Sequence, residues 1–301
     1  MMKMLAQIIF DLLISSSGTK SLKIKFLILL RKFILLSGDP IVNFKYHQFT
    51  LKLPFSHDLP FNMKMFPTYN VNLAEITKIV QKKYPEMRAI DVGANVGDSV
   101  AVIHHEINVP ILCIEGNPKF LSLLELNIKQ FKDVEIEGSF VGEKSVKVNP
   151  QNNLGTAFLE ESKSGILVHT MSEILAKHVK FAHTKLLKID TDGFDNIIIR
   201  GSRELLLNVK PVIFFEYDPF YLAKQNEKGL DIFDFLLELN YTSALVFDNF
   251  GYYLTSVSLS DKRVLKDLHN YFNRNGSMYM DLCIVHSTDE DITKQIETHY
   301  S

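Results

Sequence analysis

From residue 72 onward, apolar and polar positions switch between two periods. Leu73, Ile76 and Val80 recur at helical spacing ahead of Pro85, and the next apolar run, Arg88 to Val92, is short and ends at Gly93. Val96, Val100, Ile103 and Ile107 then line one face of a helix, and Pro110 to Glu115 is a second short run. Leu121, Leu124, Ile128 and Phe131 mark another helix, followed by a third strand at Val134 to Glu137. Short buried runs alternating with helical repeats are the signature of βα units joined into a parallel sheet. A more polar insert extends to about residue 183. Lys185 to Asp190 and Pro211 to Glu216 then read as strands four and five, separated by a helix over Phe194 to Leu207. Tyr241 to Phe247 and Met278 to His286 read as strands six and seven, with Tyr252 to Leu254 and a helix near Arg263 to Phe272 between them. The pattern predicts a doubly wound α/β domain over residues 71–290, a cap over 1–70 and a tail over 291–301.

The cap follows other rules. Leu22 to Leu36 is rich in Leu, Ile and Phe with Lys and Arg interspersed, and Ile41 to Leu53 alternates well enough to predict a β-hairpin outside the main sheet. Pro54, Pro60 and Pro67 mark the connection. Residues 1–40 hold six basic side chains against Asp11 and Asp39, in a chain whose formal charge is −2. A basic amphipathic helix on an anionic membrane accounts for this bias. A helix docked on its own domain, or on a second subunit of a homo-oligomer, is the other account of it. Leu5 to Ile14 has the apolar character of a signal peptide, but Gln7 and Asp11 interrupt it. Elsewhere no apolar run approaches the roughly 18 residues needed to cross a bilayer. The expected location is the cytoplasm, with peripheral contact at the inner face of the membrane through residues 1–40.

Composition narrows the field modestly. At 301 residues, 46% hydrophobic and 23% charged, the chain has ample material for one large core. With 33 basic against 35 acidic side chains it has no surplus for neutralising phosphates, so nucleic acid is not expected as a partner. Cys113 and Cys283 each sit in an apolar run and read as inert core thiols.

The candidate chemistry lies at the ends of the strands. Glycines just beyond a buried strand let the backbone turn sharply, so that amides at the next helix can face a ligand. Here the series is Gly93-x-Asn95-x-Gly97. A dinucleotide loop places a second glycine where the backbone approaches pyrophosphate, and Asn95 occupies that place. An asparagine amide instead suits the carboxylate or ammonium of an amino acid, both of which S-adenosylmethionine carries. Asp91 would hold the loop or the ligand's ammonium, and Asp98 either contributes or merely caps the following helix. Glu115, at the end of strand two and ahead of Gly116-Asn117-Pro118, is placed to accept both hydroxyls of an adenosine ribose. Asn117 joins the same group. Asp190, Asp192 and Glu216 follow strands four and five, and are candidates for a general base toward a hydroxyl. Asp190, Glu216 and Asp218 are the residues that would hold Mg²⁺ if a metal takes part.

The run Ala89 to Asp98, then Ile114 to Pro118, then Leu187 to Asp195, resembles the FkbM family of methyltransferases. Arg200-Gly201-Ser202, Lys210-Pro211, Glu216 and Asp281-Leu282 extend the resemblance over roughly residues 85–286. It implies a class I methyltransferase (Rossmann-like) sheet of seven strands in the order 3-2-1-4-5-7-6, with strand 7 antiparallel. It also implies O-methylation, commonly of sugar or natural-product hydroxyls. The family's usual I-D-x-E-G reads Ile189-Asp190-Thr191-Asp192-Gly193 here, which keeps the charge and shortens its reach. The expected function is therefore an S-adenosylmethionine-dependent O-methyltransferase of a glycan precursor or natural product. An NAD(P)-dependent oxidoreductase, which shares the βαβ start and Glu115, is the alternative enzyme. A non-catalytic methyltransferase-fold scaffold at a membrane is the third reading.

Overall fold

A computed structural model of the chain describes residues 2–16, 21–153, 156–161, 165–274 and 278–300, with side chains described for all of these except 149–153 and 156–161. In chain order, helices α1 (Met2–Ser16) and α2 (Leu22–Leu36) precede strands β1 (Ile41–Tyr46) and β2 (Phe49–Pro54), then helices α3 (Leu59–Met65) and α4 (Val71–Lys83). The first βα units follow as β3 (Ala89–Val92), α5 (Asp98–Glu106), β4 (Ile111–Ile114), α6 (Pro118–Asn127) and β5 (Val134–Glu137). Next come β6 (Phe140–Val141), β7 (Val146–Asn153), β8 (Thr156–Glu161), β9 (Ile166–His169) and α7 (Met171–Lys177). The chain returns through β10 (Leu186–Ile189), α8 (Asp195–Gly201), α9 (Arg203–Asn208), β11 (Val212–Tyr217), α10 (Pro219–Lys224) and α11 (Asp231–Glu238). It ends with β12 (Tyr241–Asp248), β13 (Tyr253–Ser258), α12 (Lys262–Phe272), β14 (Met280–His286) and α13 (Glu290–Tyr300).

The main sheet has eight strands in the order β13-β12-β14-β11-β10-β3-β4-β5. The five from β11 to β5 are parallel, and β14 enters antiparallel to β11. Seven strands were expected. The eighth, β13, pairs antiparallel with β12 along Ser243 to Phe247, because the stretch around Tyr252 to Leu254 extends into a hairpin rather than a loop. The helix expected over 194–207 is broken at Ser202 into α8 and α9.

Strand periodicity explains the two cores. Ile90, Leu112, Leu187 and Ile213 point to the layer that holds α7, α8 and α11, whereas Ala89, Ile111, Leu186 and Val212 point to the layer of α4, α5 and α13. The tail expected over 291–301 is instead a helix: Ile292 and Ile296 of α13 are fully buried in the second layer. Two apolar residues one turn apart were enough to dock it.

The cap is fastened to the main domain. Phe10, Leu13, Leu51 and Leu53 share a core with Val96, Ala101 and Leu123. The edge of β2 is closed by side-chain amides: Gln130 accepts from Thr50 N at 2.9 Å and donates to Thr50 O at 3.0 Å, while Asn127 does the same for Lys52 at 2.8 and 2.9 Å. The polar insert builds a separate four-stranded sheet, β6-β9-β7-β8. No described helix is long and apolar enough to cross a membrane.

Candidate active site

Every residue singled out at a strand terminus lies at the carboxyl edge of the main sheet, where open α/β sheets bind their ligands. The glycine loop is built by close packing. Gly93 has φ +79°, and a Cβ there would lie 1.9 Å from the carbonyl oxygen of Asp190. Gly97 has φ +85° and is the N-cap of α5, and Asn95 adopts φ 48°. Asp98 is therefore not the cap. It lies half-buried at the first position of α5, where Asn70 Nδ2 reaches its Oδ2 at 3.4 Å.

Glu115 ties two loops together. Its Oε2 accepts from Asn95 N at 2.8 Å and its Oε1 accepts from Asn117 N at 2.7 Å. Burial raises its carboxyl above the ordinary value, against the pull of those two amides. Asn117 caps α6, accepting from Lys119 N at 3.0 Å. A cavity of about 150 Å³ opens beside this pair, lined by Gly93, Asn95, Glu115, Asn117, Asp190 and Asp192 and closed by Phe120, Phe140, Phe194 and Ile198. Ser139 Oγ, from a residue on its wall, is buried without a hydrogen-bond partner among the described residues. An orphaned hydroxyl on a cavity wall wants a polar ligand. Ser139 follows β5 and did not stand out in the sequence.

A second cavity, about 250 Å³, shares Gly93, Asn95, Asp190 and Asp192 with the first. Its other walls are Asp98, Lys188 and a stretch of the cap, His57, Asp58, Leu59, Asn62 and Tyr69. His57 Nε2 lies 3.3 Å from Asn95 Oδ1, so the cap reaches the glycine loop itself. No motif marks these cap side chains in the sequence.

Lys188, which no motif marks, sits at the centre. Its Nζ is 3.0 Å from Asp91 Oδ1 and 3.3 Å from Asp190 Oδ2. Burial alone would lower its pKa, but Asp91, Asp190 and Asp98 outweigh that and hold it well above the ordinary value. Asp91 is buried and its carboxyl is raised by desolvation, with Lys188 opposing. A lysine between Leu187 and Ile189 on a fully buried strand was the available signal, since a buried cation requires a counter-ion.

The turn after β10 is strained and acidic. Asp192 has φ 52° and Gly193 φ 96°, and Asp195 Oδ2 accepts from Gly193 N at 3.2 Å. Desolvation, then Asp190 and Asp218, push the Asp192 carboxyl up to about 6. Burial, then Asp190, push that of Asp195 up to about 7. Glu216 is register partner to Asp281 on the antiparallel strand β14, and burial followed by Asp190, Asp195 and Asp281 raises it well above the carboxylate range. It lines neither cavity.

The metal set is not assembled. Among the described residues no group of three or more His, Cys, Asp or Glu could hold a metal ion. Asp218 caps α10 instead, with its Oδ1 accepting from Phe220 N at 2.8 Å and Tyr221 N at 3.2 Å. Asp190, Glu216 and Asp218 thus do not come together as such a group among the described residues.

Comparison with known proteins adds a family. The methyltransferase FkbM domain model matches residues 91–243. Among solved structures, the chain is similar to the methyltransferase FkbM from Methylobacillus flagellatus KT, at 18% identity and TM-score 0.39, covering 52% of this chain and 39% of that one. It is also similar to a putative caffeoyl-CoA O-methyltransferase from Staphylococcus aureus, at 11% identity and TM-score 0.40, covering 94% and 99%. A precorrin-6y C5,15-methyltransferase from Geobacter metallireducens GS-15 matches at 12% identity and TM-score 0.37, covering 66% and 80%. No curated protein matches.

Proposed function

Because the chain belongs to the FkbM methyltransferase domain family, we propose that it is an S-adenosylmethionine-dependent O-methyltransferase whose acceptor is a polar, hydroxylated molecule such as a sugar or glycan precursor. The observation that carries this reading is the pair of cavities sharing a floor of Gly93, Asn95, Asp190 and Asp192. A group transfer between two ligands needs two chambers that meet where the reacting atoms meet.

The first cavity suits the methyl donor. Glu115 is fixed by two backbone amides with lone pairs left for the ribose hydroxyls, and Phe140 and Ile198 offer apolar walls for adenine beside the orphaned Ser139 hydroxyl. Asn95 and the turn at Gly93 face the amino-acid end. When bound, S-adenosylmethionine would supply a methyl group on an electrophilic sulfonium, with the neutral thioether of S-adenosylhomocysteine as the leaving group.

The second cavity suits the acceptor. His57, Asn62, Tyr69, Asp98, Lys188, Asp190 and Asp192 give it a wall of hydrogen-bonding groups with little apolar surface, as a polyol requires. Asp192 acts as general base, taking the hydroxyl proton as the new C–O bond forms, since a carboxyl at about 6 is a better proton acceptor than an ordinary one. Asp190, held by Lys188, orients the hydroxyl. The products are a methyl ether, S-adenosylhomocysteine and the proton on Asp192.

Calorimetry with S-adenosylhomocysteine tests the donor half. Binding to the wild-type protein is expected, as is its loss in Gly93→Arg, because even a Cβ at residue 93 overlaps Asp190 O. A folded wild-type protein that binds no S-adenosylhomocysteine would sink the reading, and enhanced NADPH fluorescence on mixing would replace it with the oxidoreductase. Transfer of a labelled methyl group to a panel of saccharides tests the acceptor half.

A further inference from the structure

Helix α2 is apolar on two opposite sides. Leu27 and Ile34 are buried in the cap core, and Arg31 also points inward, donating to Phe55 O at 3.2 Å, Ser56 O at 2.7 Å and Asp58 Oδ1 at 3.0 Å. On the far side, Leu22, Phe26, Leu29, Phe33 and Leu36 are 85, 59, 49, 60 and 83% exposed. With 3.6 residues per turn, they fall within about 40° of a single line along the helix. Lys23 flanks this stripe on one side and Lys25 and Lys32 on the other, all three exposed. None of them pairs with a carboxylate among the described residues.

What covers this stripe is constrained by charge. The helix contains no acidic residue, and Asp11, the acid of α1, is engaged by Gln7 Nε2 at 2.9 Å. A second copy packed stripe to stripe would bring lysines against lysines with no carboxylate to answer them, the reverse of what helix pairing selects. An anionic surface answers all three lysines at once. At 15 residues α2 is roughly 22 Å long, too short to span a bilayer but suited to lying along one. Met2 Sδ lies 3.2 Å from Ser37 Oγ, so the start of α1 sits beside the end of α2, and α1 adds exposed Met4, Leu5 and Ile8 near that end.

We propose that the α1–α2 hairpin docks this protein on an anionic lipid surface, with α2 in the headgroup plane, its stripe among the acyl chains and its lysines at the phosphates. The docking is independent of methyl transfer and stands or falls without it.

Flotation of the full chain with phosphatidylcholine vesicles, with and without phosphatidylserine, tests this. Binding to the phosphatidylserine vesicles that weakens with salt is expected. Phe26→Ser with Phe33→Ser should weaken it by about tenfold or more, while Lys23→Gln, Lys25→Gln and Lys32→Gln together should remove the preference for the anionic lipid. Unchanged thermal melting by circular dichroism would show that the exposed substitutions leave the fold intact. The proposal is overturned if the wild type floats with neither vesicle, or if the double variant floats as the wild type does. Light scattering that shows a dimer dissolved by the double variant, without vesicle binding, would assign the stripe to a second copy instead.

Discussion

Lys188 Nζ lies 3.0 Å from Asp91 Oδ1, and the two residues are register partners on the adjacent parallel strands β10 and β3. Their side chains are 9% and 3% exposed, so both charges are largely withdrawn from water. Removing one partner of such a pair leaves the other buried and uncompensated, at a cost of about 3–5 kcal/mol. Lys188→Met should lower the stability to urea by that order, and adding Asp91→Asn to it should recover a large part. If Lys188→Met unfolds at the wild-type midpoint, the pair is not holding the centre of the sheet.

That pair also marks where sequence reasoning stops. The βα rhythm, the strand ends and the glycine turn were readable because each rests on local periodicity or on a residue type that its backbone demands, as Gly93 is demanded by the Asp190 carbonyl. The pairing of Lys188 with Asp91 depends on register between strands almost a hundred residues apart in the chain, which no local pattern encodes. His57 and Tyr69 line the second cavity because the cap packs against the main domain, so their role follows from docking. The eighth strand and the last helix were missed for a simpler reason. Tyr253–Ser258 and Glu290–Tyr300 are amphipathic segments with few buried residues each, and tertiary contact decides their state.

Glu115 offers a test of the donor cavity. Both oxygens accept backbone amides, from Asn95 and Asn117. Glutamine keeps the shape but replaces one acceptor with a donor, so one of those amides loses its partner at about 1–3 kcal/mol. Glu115→Gln should weaken S-adenosylhomocysteine binding by about 10- to 100-fold in calorimetry while leaving the melting temperature within a few degrees. Equal affinity in the variant would remove Glu115 from the donor site.

Asp192 predicts a pH profile. Its carboxyl is pushed up to about 6, first by desolvation and then by Asp190 and Asp218. As the general base it must be ionised, so kcat/KM should climb as pH rises through about 6 and level off above. Asp192→Asn should lose about 10²- to 10³-fold in kcat and abolish that limb. A limb that persists in Asp192→Asn belongs to another group, with Asp190 next to be tested.

Asp195 acts on stability rather than turnover. It is 1% exposed, and burial with Asp190 nearby raises its carboxyl from 3.8 to about 7 in the folded protein. A folded pKa above the unfolded one means that the folded state holds the proton longer. Its stabilising contribution is therefore complete below about 4 and is lost as pH rises through about 7, at up to about 1.4 kcal/mol per pH unit in between. Asparagine still accepts from Gly193 N but does not titrate. Melting temperatures measured from pH 5 to 8 should thus fall less steeply for Asp195→Asn than for the wild type, with the variant gaining most at the alkaline end. Parallel curves would mean that Asp195 ionises in the fold as readily as in the unfolded chain, and that the turn after β10 is wetter than its packing against Gly193 implies.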